Sequence, residues 1–436
     1  MICYLINDYL SLTSQNGILV MYVYEQVIQE EKMSNLPFIP IIVGTDINAY
    51  NMAISFHQAY DVKPILIGKQ QMAFTDLSSV IEKIEIHPTL ADEGQFVPTL
   101  TTLATKLEPT DKKLLLVGTN DVYIRLMIEN EAQLKEHFVF DLIDESLMNQ
   151  LQNKSNFYKL CREYGIDTPT THFYDCKHPK PFEEEMMYPV IIKPSNGIAY
   201  YNHSFDGQQK VYRVESKEEV QQVIDKITAS GYQDELIIQD FIPGDDTYMW
   251  DSVIYANAGG QTQLVTFGQV VLQEHTATAI GNYTAVISRY NEEMMKKLQH
   301  FLEAVGYVGF ANFDLKYDTR DGKFKVFEVN IRQGRSSYYV TALGHNMATY
   351  IVDDSIYRKE KPLTYLNEEH LFTVVPKIVL RKFVRNEKVL ADVKQLIRQG
   401  KWGNPLFYKK DRNLKRKLYL FIRQINYYRK YKNNKW

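Results

Sequence analysis

Apolar positions along this chain change rhythm more than once. Between residues 38 and 143, short apolar runs alternate with longer segments at helical spacing. Residues 38–43, 64–67, 84–86, 113–117 and 138–143 read as strands, with 47–60 and 96–107 as helices among them. Strands alternating with helices predict an open parallel sheet. Ligands of such sheets bind at the carboxyl ends of the strands, which makes Asp46, Asn120 and Asp121 candidate substrate contacts. The same residue types cap helices, and capping is the preferred reading.

From Lys154 the texture changes to that of an α+β unit. Residues 154–164 look helical, and Gly165 through Pro169 stop them. Residues 188–193 form a strand that delivers Lys193 to its end, and a loop over 194–199, containing Ser195, follows. Strands are predicted at 211–214 and 235–241, with a helix at 217–227 between them. Longer antiparallel-type strands follow at 246–255 and 263–272, then an amphipathic helix at 291–305. Beyond Asp353 the signal weakens to a strand at 372–379 and a helix at 392–399. In the tail, Leu414, Leu418, Phe421, Ile425 and Tyr428 recur at helical spacing, with Lys415, Arg416, Lys417 and Arg423 on the other faces.

The expected organisation is an extension at 1–36, an α/β domain at 37–150, an α+β domain at 151–360 and a C-terminal extension at 361–436. The first residues carry no basic region ahead of an apolar stretch, so a signal peptide is not expected. Met33 directly precedes the first clear strand and reads as a natural start, with 1–32 dispensable.

The stretch 310–335, FANFDLKYDTRDGKFKVFEVNIRQGR, carries the chemistry. It reads as two strands joined at Asp321-Gly322, a strong turn signal between alternating apolar residues. Folded about that turn, Asp314 falls opposite Glu328, and Asn330 shares the face of Glu328. Two carboxylates facing across a ladder repel unless a cation lies between them. Hard oxygen ligands of this kind suit Mg²⁺ carried by nucleotide phosphates. Arg332 and Arg335 follow, two forks shaped for carboxylate or phosphate. Taken alone, such a hairpin reads in preference as a solvated surface feature, and the rest of the chain shifts that reading.

Composition sets the limits. The 436 residues, 45% hydrophobic and 24% charged, describe an ordinary globular chain of two or three domains. Three cysteines, Cys3, Cys161 and Cys176, give neither a disulfide framework nor a zinc site, and a reduced cytoplasmic setting fits. No run of eighteen apolar residues occurs. The formal net charge of −3 hides a basic tail: residues 409–436 hold eleven of the 50 Lys and Arg but one of the 53 acids. A basic amphipathic helix docks on its own protein, lies on anionic lipid or binds nucleic acid. Docking is preferred and membrane contact comes second; the acidic body argues against nucleic acid.

Walker A, GxGxxG, GxSxG and HExxH motifs are absent, which removes the usual signatures of P-loop, dinucleotide, α/β-hydrolase and zincin chemistry. What remains is an ordered set: Lys154, VIIKP around Lys193, QDFIPGDD from Gln239 to Asp246, and the Asp314, Glu328 and Asn330 group. That order resembles the ATP-grasp superfamily. Within it the chain looks most like the D-aspartate ligases of peptidoglycan precursor synthesis. This likeness rests on GTDINAYNMAISFH, GTNDVY, NKSNFY and NIRQGRSSYYVT and runs from about Phe38 to the tail.

The resemblance implies ATP and Mg²⁺ as cofactors. It makes Lys154 and Lys193 phosphate ligands, with Ser195 in the following loop. Gln239, Asp240, Phe241 and Ile242 become the adenine hinge, Asp246 the ribose acid, and Asp314, Glu328 and Asn330 the metal ligands. Two departures stand out: the loop after Lys193 has only Gly197, and Asn312 stands where many relatives carry arginine. Arg332 or Arg335 would supply that charge. The implied reaction joins the β-carboxylate of D-aspartate to the lysine side-chain amine of a peptidoglycan precursor through an acyl phosphate, with Arg332, Arg335 and Lys193 catalytic. Alternatives are a related ligase for another acid or acceptor, and a non-catalytic ATP-binding protein tethered by its tail. His275 is a candidate base lining the acceptor site, although a packed histidine is the preferred reading.

Overall fold

The computed structural model describes residues 36–276, 279 and 281–434. The expected start at Met33 and the stretch 1–32 lie outside them. Contacts divide the chain into two compact units, each described by itself below. One runs to Phe140 and takes back His345–Lys359 and Phe407–Lys417; the other comprises Asp141–Gly344, Glu360–Leu406 and the chain from Leu418.

The first unit is the predicted parallel sheet. Strands β1 (Phe38–Val43), β2 (Ile65–Gly68), β3 (Lys83–Ile86), β4 (Lys113–Gly118) and β5 (Phe138–Val139) lie in the order β3-β2-β1-β4-β5. Ile41, Ile42, Val43 and Leu66 are wholly buried, as strands covered on both faces must be. The fifth strand is shorter than the expected 138–143. Asp46 caps the helix Ile47–Tyr60 by accepting from the Asn48 and Ala49 amides at 3.0 and 3.1 Å. Asn120 likewise accepts from the Tyr123 amide at 3.0 Å, so these polar residues cap helices as preferred.

The returning segments are fastened by a buried hub. Asp411 accepts from Tyr50 Oη at 2.9 Å and Ser78 Oγ at 2.8 Å and pairs with Arg416 at 3.3 Å. Arg416, 2% exposed, stacks on the Tyr50 ring. Arg416, on a different face from the expected apolar stripe, is held inside by a buried counter-ion and an aromatic face.

The second unit contains two sheets. The smaller has β6 (Thr171–Asp175), β7 (Val190–Pro194), β8 (Tyr212–Val214) and β9 (Glu235–Asp240) in the order β6-β9-β7-β8. Val190 and Ile192 face its apolar core with Val220, Ile224 and Ile227 of the helix Lys217–Ala229. The larger sheet comprises β10 (Met249–Ala256), β11 (Thr262–Val265), β12 (Phe267–Gln273), β13 (Tyr283–Arg289), β14 (Gly309–Asp318), β15 (Lys323–Asn330), β16 (Thr364–Tyr365), β17 (Leu371–Thr373) and β18 (Trp402–Gly403). Its main path is β15-β14-β10-β12-β13-β17-β18.

Three expectations need correction. The strand at 263–272 is broken at Thr266, because its hydroxyl replaces a backbone ladder partner. That hydroxyl accepts from the Val253 amide and lies within bonding distance of the Val253 carbonyl, both at 2.9 Å. The strand at 372–379 ends at Thr373, and Pro376 opens the helix Lys377–Phe383 instead. The tail is a helix, Leu414–Asn433, but its expected apolar stripe faces outward. Leu418 is 63%, Phe421 61% and Ile425 44% exposed, while Leu420, Tyr427 and Tyr431 are buried.

Candidate active site

The hairpin of β14 and β15 is antiparallel and sets Asp314 opposite Glu328. Its turn is wider than Asp321-Gly322 alone, since Asp318 pairs with Lys323 and Gly322 adopts φ +72°. From there the ladder pairs Leu315 with Val326, then slips by one residue before Asp314. Without this bulge Asp314 would face Phe327. The bulge is held from outside the hairpin, where the Val326 amide donates to the Asp167 carbonyl at 2.8 Å and Tyr158 Oη to the Phe327 carbonyl at 3.1 Å. Bulges beside sites re-aim side chains, and this one re-aims Glu328.

The row continues into a third strand. Asp251 on β10 pairs directly with Asp314, so Asp251, Asp314 and Glu328 stand side by side on one face of three neighbouring strands. Asp251 is wholly buried, and burial pushes its carboxyl up to about 7 against the hydrogen bonds from Ser336 and Tyr339. Asp314 also rises to about 7, through burial first and the charge of Glu328 second, while Tyr283 and Asn330 hydrogen-bond to it. Glu328 is held below the usual range by Lys154, whose Nζ lies 2.8 Å from Oε2. Tyr283 and Asp251 were not singled out in the sequence; β10 and β13 pass as ordinary apolar strands until the register is known.

Lys154 opens the helix Lys154–Glu163, whose cap Asn153 accepts from the Asn156 amide at 3.0 Å. Burial works against its charge, but Glu328 keeps the ammonium above its ordinary value. Lys193 ends β7 on the face opposite Val190 and Ile192. Burial and then Lys154 lower it to about 8, and Glu328 also acts on it. Lys154 is thus bonded to Glu328, and the charge of the same carboxylate acts on Lys193. The loop expected after Lys193 is partly helical: Asn196 caps Gly197–Asn202, and the Ser195 amide donates to the Glu235 carbonyl at 2.9 Å.

At the hinge, Gln239 points inward, donating to Tyr158 Oη at 3.0 Å and Thr171 Oγ1 at 2.8 Å. The amides of Asp240 and Phe241 are engaged by the Thr170 and Pro189 carbonyls at 3.0 and 3.1 Å. Phe241 lies beneath Arg213 and Lys316, at 4.6 and 5.5 Å from its ring centre, and Ile242 is buried. Lys316 went unremarked in the sequence, although two-residue periodicity from Asp314 puts it on the same face. A cavity of about 410 Å³ joins Phe241, Asp246, Lys316, Gln273 and His275. Asp246 accepts from the Gln273 amide at 3.1 Å, Gln273 Nε2 at 2.8 Å and His275 Nε2 at 2.8 Å. His275 is thus bound to the expected ribose acid and packed on Tyr431.

Beyond β15, Arg332 donates to Asn330 Oδ1 and to the Gln333 carbonyl, both at 3.2 Å. Arg335 lies 3.9 Å from Glu274, which is buried. Asn330 Nδ2 donates to Asp314 Oδ2 at 3.0 Å. Asn312 is packed tightly against Gly334, where an added Cβ would come within 2.4 Å of its oxygen. The short amide and the glycine together let the Arg332–Arg335 turn approach the sheet, and an arginine at 312 would not fit there.

Among the described residues no cluster of three or more His, Cys, Asp or Glu side chains forms a metal site. Asp314 and Glu328 nevertheless fit Mg²⁺, which is commonly held by one or two carboxylates with phosphate oxygens and water. Burial first and the charge of Glu328 second raise the Asp314 carboxyl, and a cation between the pair would relieve the second. Asn330 holds Asp314 through its Nδ2 and Arg332 through its Oδ1, and that oxygen would join a metal by exchanging its bond to Arg332.

No family model matches the chain. An L-amino acid ligase from Bacillus licheniformis shares the fold with a TM-score of 0.51 at 16% identity, over 72% of this chain and 73% of that one. The N5-carboxyaminoimidazole synthetase of Staphylococcus aureus, solved with ADP, gives 0.54 at 12% identity, over 77% and 82%. These likenesses show a fold that the chain shares with both ligase and synthetase. A D-aspartate ligase of Enterococcus faecium (strain Aus0004) is 35% identical over 416 residues, 92% of this chain and 98% of that protein. The chain belongs to the D-aspartate ligase family.

The raised acids give a pH dependence. Asp251 and Asp314, at about 7 when folded, lie above the roughly 3.9 of an unfolded aspartate. The folded state therefore binds more protons, and the stability this adds is complete below about pH 4 and lost as pH rises through about 7. Melting temperature is expected to fall between about pH 4 and 7 and to level off above, less steeply in Asp314→Asn. Scanning fluorimetry checks this; equal slopes in the two proteins would contradict it.

Proposed function

We propose that this protein is an ATP- and Mg²⁺-dependent ligase that joins the β-carboxylate of D-aspartate to the lysine side-chain amine of a peptidoglycan precursor. What carries the reading is the facing Asp314 and Glu328, with Lys154 bonded to one of them and Lys193 close by, in a chain of this family. Mg²⁺ held by Asp314, Glu328 and Asn330 would neutralise the terminal phosphates. Phe241 and Ile242 take the adenine, with the Ile242 amide as the hinge donor that remains once Asp240 and Phe241 are engaged. Asp246 takes the ribose hydroxyls by exchanging its bonds to Gln273 and His275. Lys154, Lys193 and Ser195 line the phosphates.

The chemistry then needs alignment and charge, with no protein nucleophile. A β-carboxylate oxygen attacks the γ-phosphorus and the bond to ADP breaks, leaving an acyl phosphate. The neutral acceptor amine attacks the acyl carbon, the carbon–oxygen bond to phosphate breaks, and amide, phosphate and a proton result. Arg332, beside the metal ligands, suits the reacting carboxylate. Arg335 suits the second carboxylate, which distinguishes a dicarboxylic substrate from a hydroxy acid.

ADP release with a panel of acids, with hydroxylamine trapping the acyl phosphate, tests the assignment. D-Aspartate is expected to exceed L-aspartate and D-lactate. Glu328→Ala is expected to lower turnover at least about a thousandfold, as losing a charge-stabilising group at the transition state does. Silence with D-aspartate alongside turnover of another acid would overturn the substrate, and turnover in Glu328→Ala would overturn the mechanism.

The protein works in the cytoplasm, and its tail meets the anionic inner membrane surface. The observation behind this is the outward stripe of Leu418, Phe421, Ile422 and Ile425, flanked by exposed Lys417, Arg429 and Lys432. Among the described residues no helix is long and apolar enough to cross a membrane. Cosedimentation with phosphatidylglycerol vesicles, weakened by salt and by Phe421→Asp, is the expected outcome. Equal pelleting of wild type and variant would contradict it.

A further inference from the structure

The C-terminal helix Leu414–Asn433 ends against the catalytic unit in a way that the apolar pattern of the tail does not suggest. Tyr431 is 1% exposed. Its hydroxyl donates to the Gln273 carbonyl at 2.6 Å and lies 2.8 Å from Thr284 Oγ1. Its ring meets His275 at 4.9 Å and Phe383 at 5.6 Å between centres. Gln273 and His275 are the residues bonded to Asp246. One phenol therefore fixes the backbone carbonyl of one Asp246 donor and the ring of the other.

The neighbouring residue acts on the other substrate. Extended backbone alternates its side chains, so Glu274 diverges from Gln273 and His275. Glu274 is buried between two cations, Lys430 at 3.6 Å and Arg335 at 3.9 Å. Neither separation is a tight hydrogen bond; Glu274 is shared between them. Without Lys430 the pair of this carboxylate with Arg335 remains. The guanidinium is then drawn into that pair and away from a substrate carboxylate.

We infer that the end of the C-terminal helix is a working part of the active site, with Tyr431 a positioning residue for the nucleotide and Lys430 one for the acid. The inference rests on the ligase reading for which arm serves which substrate. It makes the basic tail more than a solubilising or anchoring appendage: consecutive helix residues serve different subsites through consecutive residues at the end of β12.

Steady-state kinetics of the full chain separate the two arms. Tyr431→Phe is expected to raise KM for ATP about tenfold with kcat changed less than about threefold, the scale of one buried hydrogen bond. Lys430→Ala is expected to raise KM for D-aspartate about threefold, since the ion pair is partly exposed, with Lys430→Arg restoring it. Calorimetric titration of ADP gives a readout independent of turnover, weaker in Tyr431→Phe and unchanged in Lys430→Ala. Equal shifts of both KM values in both variants, or loss of kcat alone in step with folded protein, would overturn the inference. Should Tyr431→Phe not fold, Tyr431→His, keeping a ring and a donor, takes its place with the same expectation in reduced degree. If wild type turns over no acid, the ligase reading fails, while the ADP titration still decides whether Tyr431 positions the nucleotide side.

Discussion

Repulsion among like charges in one row is the constraint around which the catalytic unit is built. Asp251, Asp314 and Glu328 occupy paired positions on three adjacent strands, an arrangement that destabilises a sheet unless each charge is answered. The three are answered differently. Burial raises the Asp251 carboxyl to about 7, and Ser336 and Tyr339 hold it by hydrogen bonds. Glu328 takes Lys154. Asp314, in the middle, receives hydrogen bonds and the charges of Arg332 and Lys154, yet burial and Glu328 hold its carboxyl up to about 7. That intermediate state is suited to exchanging a proton for a cation.

The lysines follow from the same constraint. Lys193 lies in the field of Lys154, and burial and that charge lower its ammonium to about 8. Polyphosphate entering with a divalent cation would bring negative oxygens to Lys193 and a metal to Asp314. The surrounding packing keeps the partners in place. Tyr158 links Gln239 to the bulge carrying Glu328, so β9 and β15 share one buried hydroxyl. The tight fit of Asn312 against Gly334 brings the paired arginines close beside them.

Much of this was legible in the sequence because the relevant residues lie close together along the chain. The alternation in β14 and β15, the Asp-Gly turn and the arginines beyond it gave the facing acids and the neighbouring anion site. The bulge was not legible, since it depends on Asp167 and Tyr158, distant in sequence. Asp251 was missed because an acid in an apolar strand has no meaning until its cross-strand partner is known. The tail was read on the wrong face for a physical reason. Leucine, phenylalanine and isoleucine score as the buried type, yet Tyr427 and Tyr431 fill the interior, the Tyr431 hydroxyl finding partners there. The break at Thr266 was equally hidden, because a threonine hydroxyl substituting for a backbone group leaves the apolar rhythm intact.

The central claim is that the acid pair and the nucleotide are joined through a cation. Calorimetric titration of ADP with and without Mg²⁺, in wild type and in Glu328→Gln, measures that link directly. The account expects Mg²⁺ to tighten ADP binding at least about tenfold in wild type and to have little effect in Glu328→Gln, a coupling that runs equally in both directions. An Mg²⁺ effect of the same size in both proteins, or none in wild type, would contradict it.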